Sequence, residues 1–315
     1  MKKTLVTSLA MLAIVLAAAD PVAATELSLI TGAESGTYHR VGHDLRKLLR
    51  SSGIKLTIQA SRGPVDNIFA VHRGAADLGI VQSDVIEFIS MTSSRTLAGI
   101  ARNTRMVFPL YDEVVHVVGR AGIQTFEDLD GKRVAIGQEG TGGHLTSALL
   151  FKLSAIKPAE TVAIGPGDAI RQLRAGRLDA MIYVAGLPVQ QLRTITTSDG
   201  LALIPVTSKS VLEAYAPAEI PANVYGWQSS PVSTVSVKAL LVSLDSRDAK
   251  CESVGRLARE VAAGFAWLTT HGHPRWKTVD LDMQLPGWER HQCAQQHFPL
   301  ARPAPARDDV SASGR

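Results

Sequence analysis

The apolar positions of this chain switch between two spacings, one suited to strands and one to helices. Residues 27–50, LSLITGAESGTYHRVGHDLRKLLR, begin as a short apolar strand, pass through a turn of small residues, and open a helix at about Thr37. A second copy begins at Val134 with VAIGQEGTGGHLTSALLFKL; a shift of 105 positions carries Gly32 onto Gly137 and Glu34 onto Glu139. Downstream, residues 65–82, VDNIFAVHRGAADLGIVQ, match 167–184, GDAIRQLRAGRLDAMIYV, at a shift of 102. Under that shift Asp66 meets Asp168, Ile68 meets Ile170, Gly74 meets Gly176 and Asp77 meets Asp179. Each of these segments reads as an amphipathic helix closed by Gly just past its end, then an apolar strand. With LTIQA at 56–60 and TVAI at 161–164 as intervening strands, each half predicts strand–helix–strand–helix–strand, an α/β lobe.

The connecting segments complete the plan. Residues 84–91 predict a helix, and 93–105 a polar, basic connection. The stretch 106–120, MVFPLYDEVVHVVGR, gives two short apolar runs broken by Pro109 and Asp112, and its place between the copies predicts a crossing from one lobe to the other. A short surface helix and turn follow at 121–131. Residues 185–233 are rich in Pro, Gly and Ser, with helices expected around 187–193 and 207–215. The run TVSVKALLVSL at 234–244 is the natural return strand. A long helix at about 247–269 then places Val254, Leu257, Val261, Phe265 and Leu268 on one face, and a final helix is expected at about 287–297. All four Trp lie past residue 226 and are expected to pack this last part onto the first lobe. The expected division is therefore 25–112 plus 234–298 for the first lobe, 113–233 for the second, and a disordered tail at 299–315. A first lobe interrupted by a second implies two crossings, which form a hinge that can close on a ligand.

Composition narrows the picture. Of 315 residues, 45% are hydrophobic and 20% charged, so a packed globular chain is expected. A net charge of +4, with Lys and Arg scattered, calls for no nucleic acid. Lys2 and Lys3 precede an apolar run at 9–19 and then small residues ending at Ala24, the form of a secretory signal peptide over 1–24. That run is shorter than the roughly 20 residues a membrane-spanning helix needs, so an exported, periplasmic, soluble protein is expected. Two cysteines, Cys251 and Cys293, fit either a disulfide in an oxidising compartment or two buried thiols.

Candidate chemistry sits at the helix-opening turns. A strand that runs through a Gly/Ser/Thr turn into a helix leaves backbone N–H groups free to meet an anion or polar group. Ligands of open α/β sheets lie beyond the carboxyl ends of the strands. In the first lobe that rim offers Ser35, Gly36, Thr37 and Tyr38, then Arg62 and Asn67, then Gln82 and Ser83. In the second it offers Gly140, Thr141 and Gly142, then Tyr183 and Gly186. The competing readings are helix caps for Ser35 and Thr37, a solvent-facing Asn67, and an Arg62 that points to water. His39 and His43 are four apart on one helical face but lack an evident third ligand, and His271, His273, His291, Cys293 and His297 match no standard zinc spacing. There is no G-x-S-x-G, no phosphate-binding-loop Lys and no nucleophile–base pair, so no enzyme, metal or cofactor is expected.

The segments ITGAESGTYHRVG at 30–42, QASRGPVDNI at 59–68, GAADLGIVQSDV at 74–85, GKRVAIGQEGTGG at 131–143, AGRLDAMIYVAGLP at 175–188, IPANVYGW at 220–227 and TVSVKALLV at 234–242 resemble, in this order, the TAXI-type extracytoplasmic receptors of TRAP transporters. The resemblance implies an α/β, two-lobe type II periplasmic-binding-protein fold with a hinge of two crossing strands. It implies capture of a small solute, a carboxylate or an amino acid such as glutamate or a dicarboxylate, and its delivery to a TRAP membrane permease; a monomer is expected. A receptor serving a membrane sensor would look the same in sequence, and an exported enzyme on this fold is the remaining alternative. Two departures bear on the solute: His39 stands where a second Tyr is common, and Arg62 where a small residue is common.

Overall fold

In each half, the same local rules start and stop the elements. Gly36 and Thr141 stand at the N-caps of α1 (Thr37–Leu49) and α5 (Gly142–Ser154), each 13 residues long. Pro64 and Pro166 open α2 (Pro64–His72) and α6 (Pro166–Arg174), where a missing N–H costs nothing. Gly74 and Gly176 both follow their helices at φ 70°, a left-handed turn that glycine adopts without a Cβ penalty. The strands of the first half are β1 (Thr25–Ile30), β2 (Ile54–Gln59) and β3 (Leu78–Gln82); those of the second are β5 (Arg133–Ala135), β6 (Glu160–Val162) and β7 (Ala180–Ala185). The duplication extends to single bonds. Asp77 accepts from the Ser28 amide and hydroxyl at 2.8 and 2.7 Å, tying the start of β3 to β1. Asp179 accepts from the Arg133 amide at 2.9 Å and from its guanidinium, tying the start of β7 to β5.

This computed structural model describes residues 25–90, 95–246 and 248–298; the expected signal peptide and tail lie outside them. The strand order is β2-β1-β3-β10-β4-β7-β5-β6, where β4 spans Thr104–Arg120 and β10 spans Val232–Leu244. The β1, β2 and β3 pairings are parallel, as are those of β5, β6 and β7, while β4 and β10 run antiparallel to their neighbours. Each long strand serves both halves. Residues 104–114 of β4 pair with β10, and 114–119 pair with β7. Residues 239–243 of β10 pair with β3, and 232–236 with β9 (Ala216–Ile220). Together with β8 (Leu201–Leu203), which lies on the far end of β4, this is the α/β two-lobe plan with two crossing strands.

Several local expectations are corrected. The two apolar runs of 106–120 are one 17-residue strand. Pro109 faces Leu240 beside a register shift between Lys238 and Leu240, so its missing N–H falls at an irregularity of the ladder. The basic connection at 93–105 holds two helical turns: after α3 (Val85–Ser90) comes α4 (Arg95–Asn103), which buries Ile100 completely. In the Pro/Gly-rich stretch only α7 (Lys209–Leu212) is α-helical, and β8 and β9 were not expected. The long C-terminal helix is broken at Gly264 into α8 (Ala249–Ala263) and α9 (Phe265–His271). A Cβ on Gly264 would lie 2.4 Å from the terminal methyl of Leu48 on α1, so α1 packs closely against the break. The last helix is only α10 (Gln292–Gln295).

Apolar side chains collect in three main clusters. One, under α1 and α8, contains Leu29, Leu45, Phe108, Leu257 and Trp276; another holds Ile170, Leu192, Tyr225 and Trp227 in the second lobe. Trp227 therefore does not pack the C-terminal part onto the first lobe. A middle cluster draws Ile68 and Val81 from the first lobe together with Leu145, Leu149 and Ile182 from the second. Cys251 and Cys293 form a disulfide, with Cα atoms 5.6 Å apart, that joins α8 to α10.

Candidate ligand-binding cleft

The strand ends and helix starts of the two lobes face each other across β4 and β10. Backbone meets backbone at the rim: a Cβ on Gly63 would lie 2.7 Å from the Gly140 carbonyl and 3.1 Å from the Thr141 Cα. Deeper in, a Cβ on Gly142 would fall 2.0 Å from Oε1 of Gln82, so the end of β3 abuts the start of α5. On the other flank the Arg275 guanidinium lies flat against Gly186, where a Cβ would be 2.4 Å from Nε. Glycine at these three places lets the lobes approach this closely.

Between those contacts lies a cluster of polar groups. Tyr38, from the first turn of α1, donates its hydroxyl to Oε2 of Glu113 at 2.7 Å. Glu113 sits where β4 passes between lobes, and both side chains are buried. Burial raises the Glu113 carboxyl to about 7, against the pull of Tyr38, Gln82 and Arg275. Gln82 is 1% exposed, and its Oε1 has no hydrogen-bond partner among the described residues. The Tyr111 hydroxyl lies beside Thr37 without a hydrogen bond of normal geometry, and burial pushes it well above the usual phenol range. Arg275 is half-buried; burial lowers its pKa while Tyr111 and Glu113 oppose that. Among the described residues its guanidinium makes no hydrogen bond or ion pair; its backbone N–H donates to His273 Nδ1 at 3.2 Å. Tyr183, partly buried, has its pKa raised by burial and by Glu113.

The wall behind Arg275 is built to stay neutral. The Val189 amide donates to the Tyr225 hydroxyl at 3.0 Å, and that hydroxyl donates to Nε2 of His116 at 2.9 Å. The remaining imidazole proton then goes from Nδ1 to the Val114 carbonyl at 2.9 Å. Burial lowers His116 to about 4, which matches a neutral ring with both nitrogens engaged.

The other rim residues named from sequence have different surroundings. Asn67, completely buried, accepts from the Ser61 hydroxyl at 2.6 Å and donates to the carbonyls of Thr31 and Ile80, so its amide ties strand ends together within the first lobe. Arg62 makes a bidentate pair with Asp66 at 2.8 Å and is 74% exposed. The Ser83 hydroxyl accepts from the Lys238 amide at 3.1 Å. Ser35 is exposed and offers its carbonyl to Arg40. Thr141 caps α5 through its hydroxyl, whereas the cap of α1 is Gly36 and neither Ser35 nor Thr37 serves. Among the histidines, His39 and His43 bond each other through Nε2 at 3.0 Å, with His39 held by Thr31 and His43 by Arg46. His291 is buried against the Leu244 carbonyl.

A family model described as the NMT1-like family matches residues 29–254, well over half of the chain. This chain belongs to the NMT1-like family. Among solved structures, a Bordetella bronchiseptica RB50 protein is 17% identical over 81% of this chain and 76% of its own, with a TM-score of 0.48. A TctC solute-binding protein from Polaromonas is 15% identical over 82% of this chain and 88% of its own, at 0.47. A putative periplasmic sulfonate-binding protein from Methylobacillus flagellatus KT is 14% identical over 78% and 69%, at 0.46.

Three groups of this NMT1-like chain's cleft escape a reading of its sequence: Arg275, Glu113 and Asp84. Asp84, just past β3 and buried, accepts from the Thr146 hydroxyl of α5 and the Tyr215 hydroxyl, each at 2.8 Å. It therefore links the lobes directly. A signal for Glu113 existed in the pair Asp112–Glu113, which interrupts an otherwise apolar strand. Asp112 takes the Lys238 ammonium at 2.6 Å, leaving Glu113 to face the cleft groups. Arg275, in HPRWK, carried no comparable signal.

Proposed function

We propose that this protein is an exported, periplasmic receptor that closes two lobes, 25–112 with 234–298 and 113–233, on a small carboxylate solute. The observation that carries this reading is Arg275. It is a half-buried guanidinium with no side-chain partner among the described residues, set between the lobes against Gly186 and within electrostatic reach of Glu113 and Tyr111. A guanidinium offers a planar fork of donors that matches a carboxylate, and burying it unpaired is unfavourable. Around it, Thr37, Tyr38, Gln82, Gly142 and Tyr183 shape the pocket; Gln82 and the free amides at the start of α1 supply further polar contacts. Arg62, Asn67 and Ser83 act on this reading as supports of the rim. The reading is one of binding without turnover. The resemblance to TAXI-type receptors, with family membership, supports delivery of the solute to a TRAP membrane permease.

A thermal-shift screen of small mono- and dicarboxylates and amino acids tests the site. Saturation at 100 times Kd adds about 2.7 kcal/mol of stability, a readily measured rise in Tm. Arg275→Met should abolish the shift while leaving the protein folded. An acid that stabilises Arg275→Met as well as the parent would refute the assignment. Solute uptake by permease-containing vesicles, with and without the receptor, tests delivery.

A further inference from the structure

Glu113 is the buried acid for which the capture of a carboxylate by Arg275 finds no use. In register it lies opposite Val237 of β10, and the next residue, Val114, opposite Ala185 of β7, so it occupies the crossing itself. The groups that face it come from every neighbouring element. They are Tyr38 on α1, bonded at 2.7 Å; Gln82 and Asp84 at and beyond the end of β3; Tyr111 on its own strand; Tyr183 on β7; and Arg275 beyond α9. Lys238 on β10 is spent on Asp112. Arg275 is thus the one cation near Glu113 without a partner among the described residues, and it is the group a solute carboxylate would occupy.

The consequence follows from Coulomb's law in a poorly hydrated site. With Arg275 neutralised by the solute, Glu113 loses its compensating charge and gains a second anion as neighbour, beside Asp84. Like charges a few ångströms apart drive one carboxyl to its neutral form. We propose that the cleft takes up its carboxylate solute together with one proton, which resides on Glu113. This rests on the carboxylate reading above. Tyr38 donates to Oε2, so the incoming proton goes to Oε1, and the neutral carboxyl then donates a hydrogen bond towards the solute. The proton comes from solvent: one bond to hydrogen breaks in hydronium or a buffer acid as the carboxyl O–H forms, and no other covalent bond changes. The cost is small near neutrality, because burial already holds this carboxyl at about 7.

Calorimetric titration with succinate and with 2-oxoglutarate, from pH 6 to 9, tests this. For the parent protein, Kd should weaken up to tenfold per pH unit above about pH 7, the slope of one proton bound with the solute. Titrations at pH 7.5 in phosphate and in Tris, whose ionisation enthalpies differ, should report net proton uptake without any variant. Glu113→Gln, which is neutral at every pH, should bind either acid with a Kd that no longer varies over this range. A parent Kd flat with pH, proton release instead of uptake, or a Glu113→Gln Kd as pH-dependent as the parent's would overturn the proposal while leaving the carboxylate site standing. If neither acid binds at any pH, the carboxylate reading falls, and this inference with it.

Discussion

Replacing Asp84 by Asn removes a buried carboxylate that joins the lobes directly, and its effect has a calculable pH signature. Asp84 is 8% exposed; Oδ2 accepts two hydroxyls from the second lobe, and Oδ1 has no partner among the described residues. Burial raises its pKa from 3.8 to about 6, although the Thr146 and Tyr215 hydroxyls pull the other way. A raised carboxylate pKa means that the folded protein holds more protons than the unfolded chain between those two values. Stability therefore falls as pH rises through that window. At 1.36 kcal/mol per pH unit, the shift amounts to about 3 kcal/mol, lost between pH 4 and 7. Glu113, raised to about 7 by burial, slopes the same way in both proteins; three other groups slope the opposite way. Asp179 and Asp199, held near 2 by Arg133 and Arg174, and His116, held near 4 by burial, all favour the folded state as pH rises. They are common to both proteins and cancel in the difference. Urea unfolding from pH 4 to 8 at constant ionic strength gives the measurement. The parent should lose about 3 kcal/mol relative to Asp84→Asn between pH 4 and 7 and then run parallel to it. Curves parallel throughout would show that Asp84 is hydrated, and that the lobes do not meet through it.

Gly186→Ala places a methyl group where the Arg275 guanidinium lies, 2.4 Å from Nε, so carboxylate affinity should fall at least tenfold with little change in Tm; calorimetry and melting together check it. Asn67→Ala removes three hydrogen bonds from a completely buried site. At about 1 kcal/mol each, the loss should be about 3 kcal/mol by urea unfolding. The Cys251–Cys293 bond closes a loop with a sequence separation of 42. The chain-entropy account assigns it about 4 kcal/mol, so Cys251→Ser with Cys293→Ser should unfold at clearly lower urea, and an unchanged midpoint would contradict that account.

Much of the architecture was readable from the chain alone, because it rests on short-range rules. Gly74 with Asp77 and Gly176 with Asp179 announce the duplication. Each glycine supplies a left-handed turn, and each aspartate reaches the neighbouring parallel strand. The helix starts at Thr37 and Gly142 follow from a Gly/Ser/Thr turn beside apolar periodicity. Pattern failed where the environment overrules it. Pro109 sits inside a strand because a ladder irregularity accepts it, and a well-patterned helix is broken at Gly264, which packs against Leu48 of α1. The proposed site divides the same way. Tyr38, Gln82, Gly142 and Gly186 could be named because strand ends and helix starts locate the rim. Sequence could not single out Arg275, Glu113 and Asp84 as charges that share the cleft, nor show that Asn67 is consumed by its own scaffold. Local preference is a property of neighbouring residues, but the pairing of a charge depends on which distant segments close around it. Only the return of β10 and the chain beyond it to the first lobe decided that.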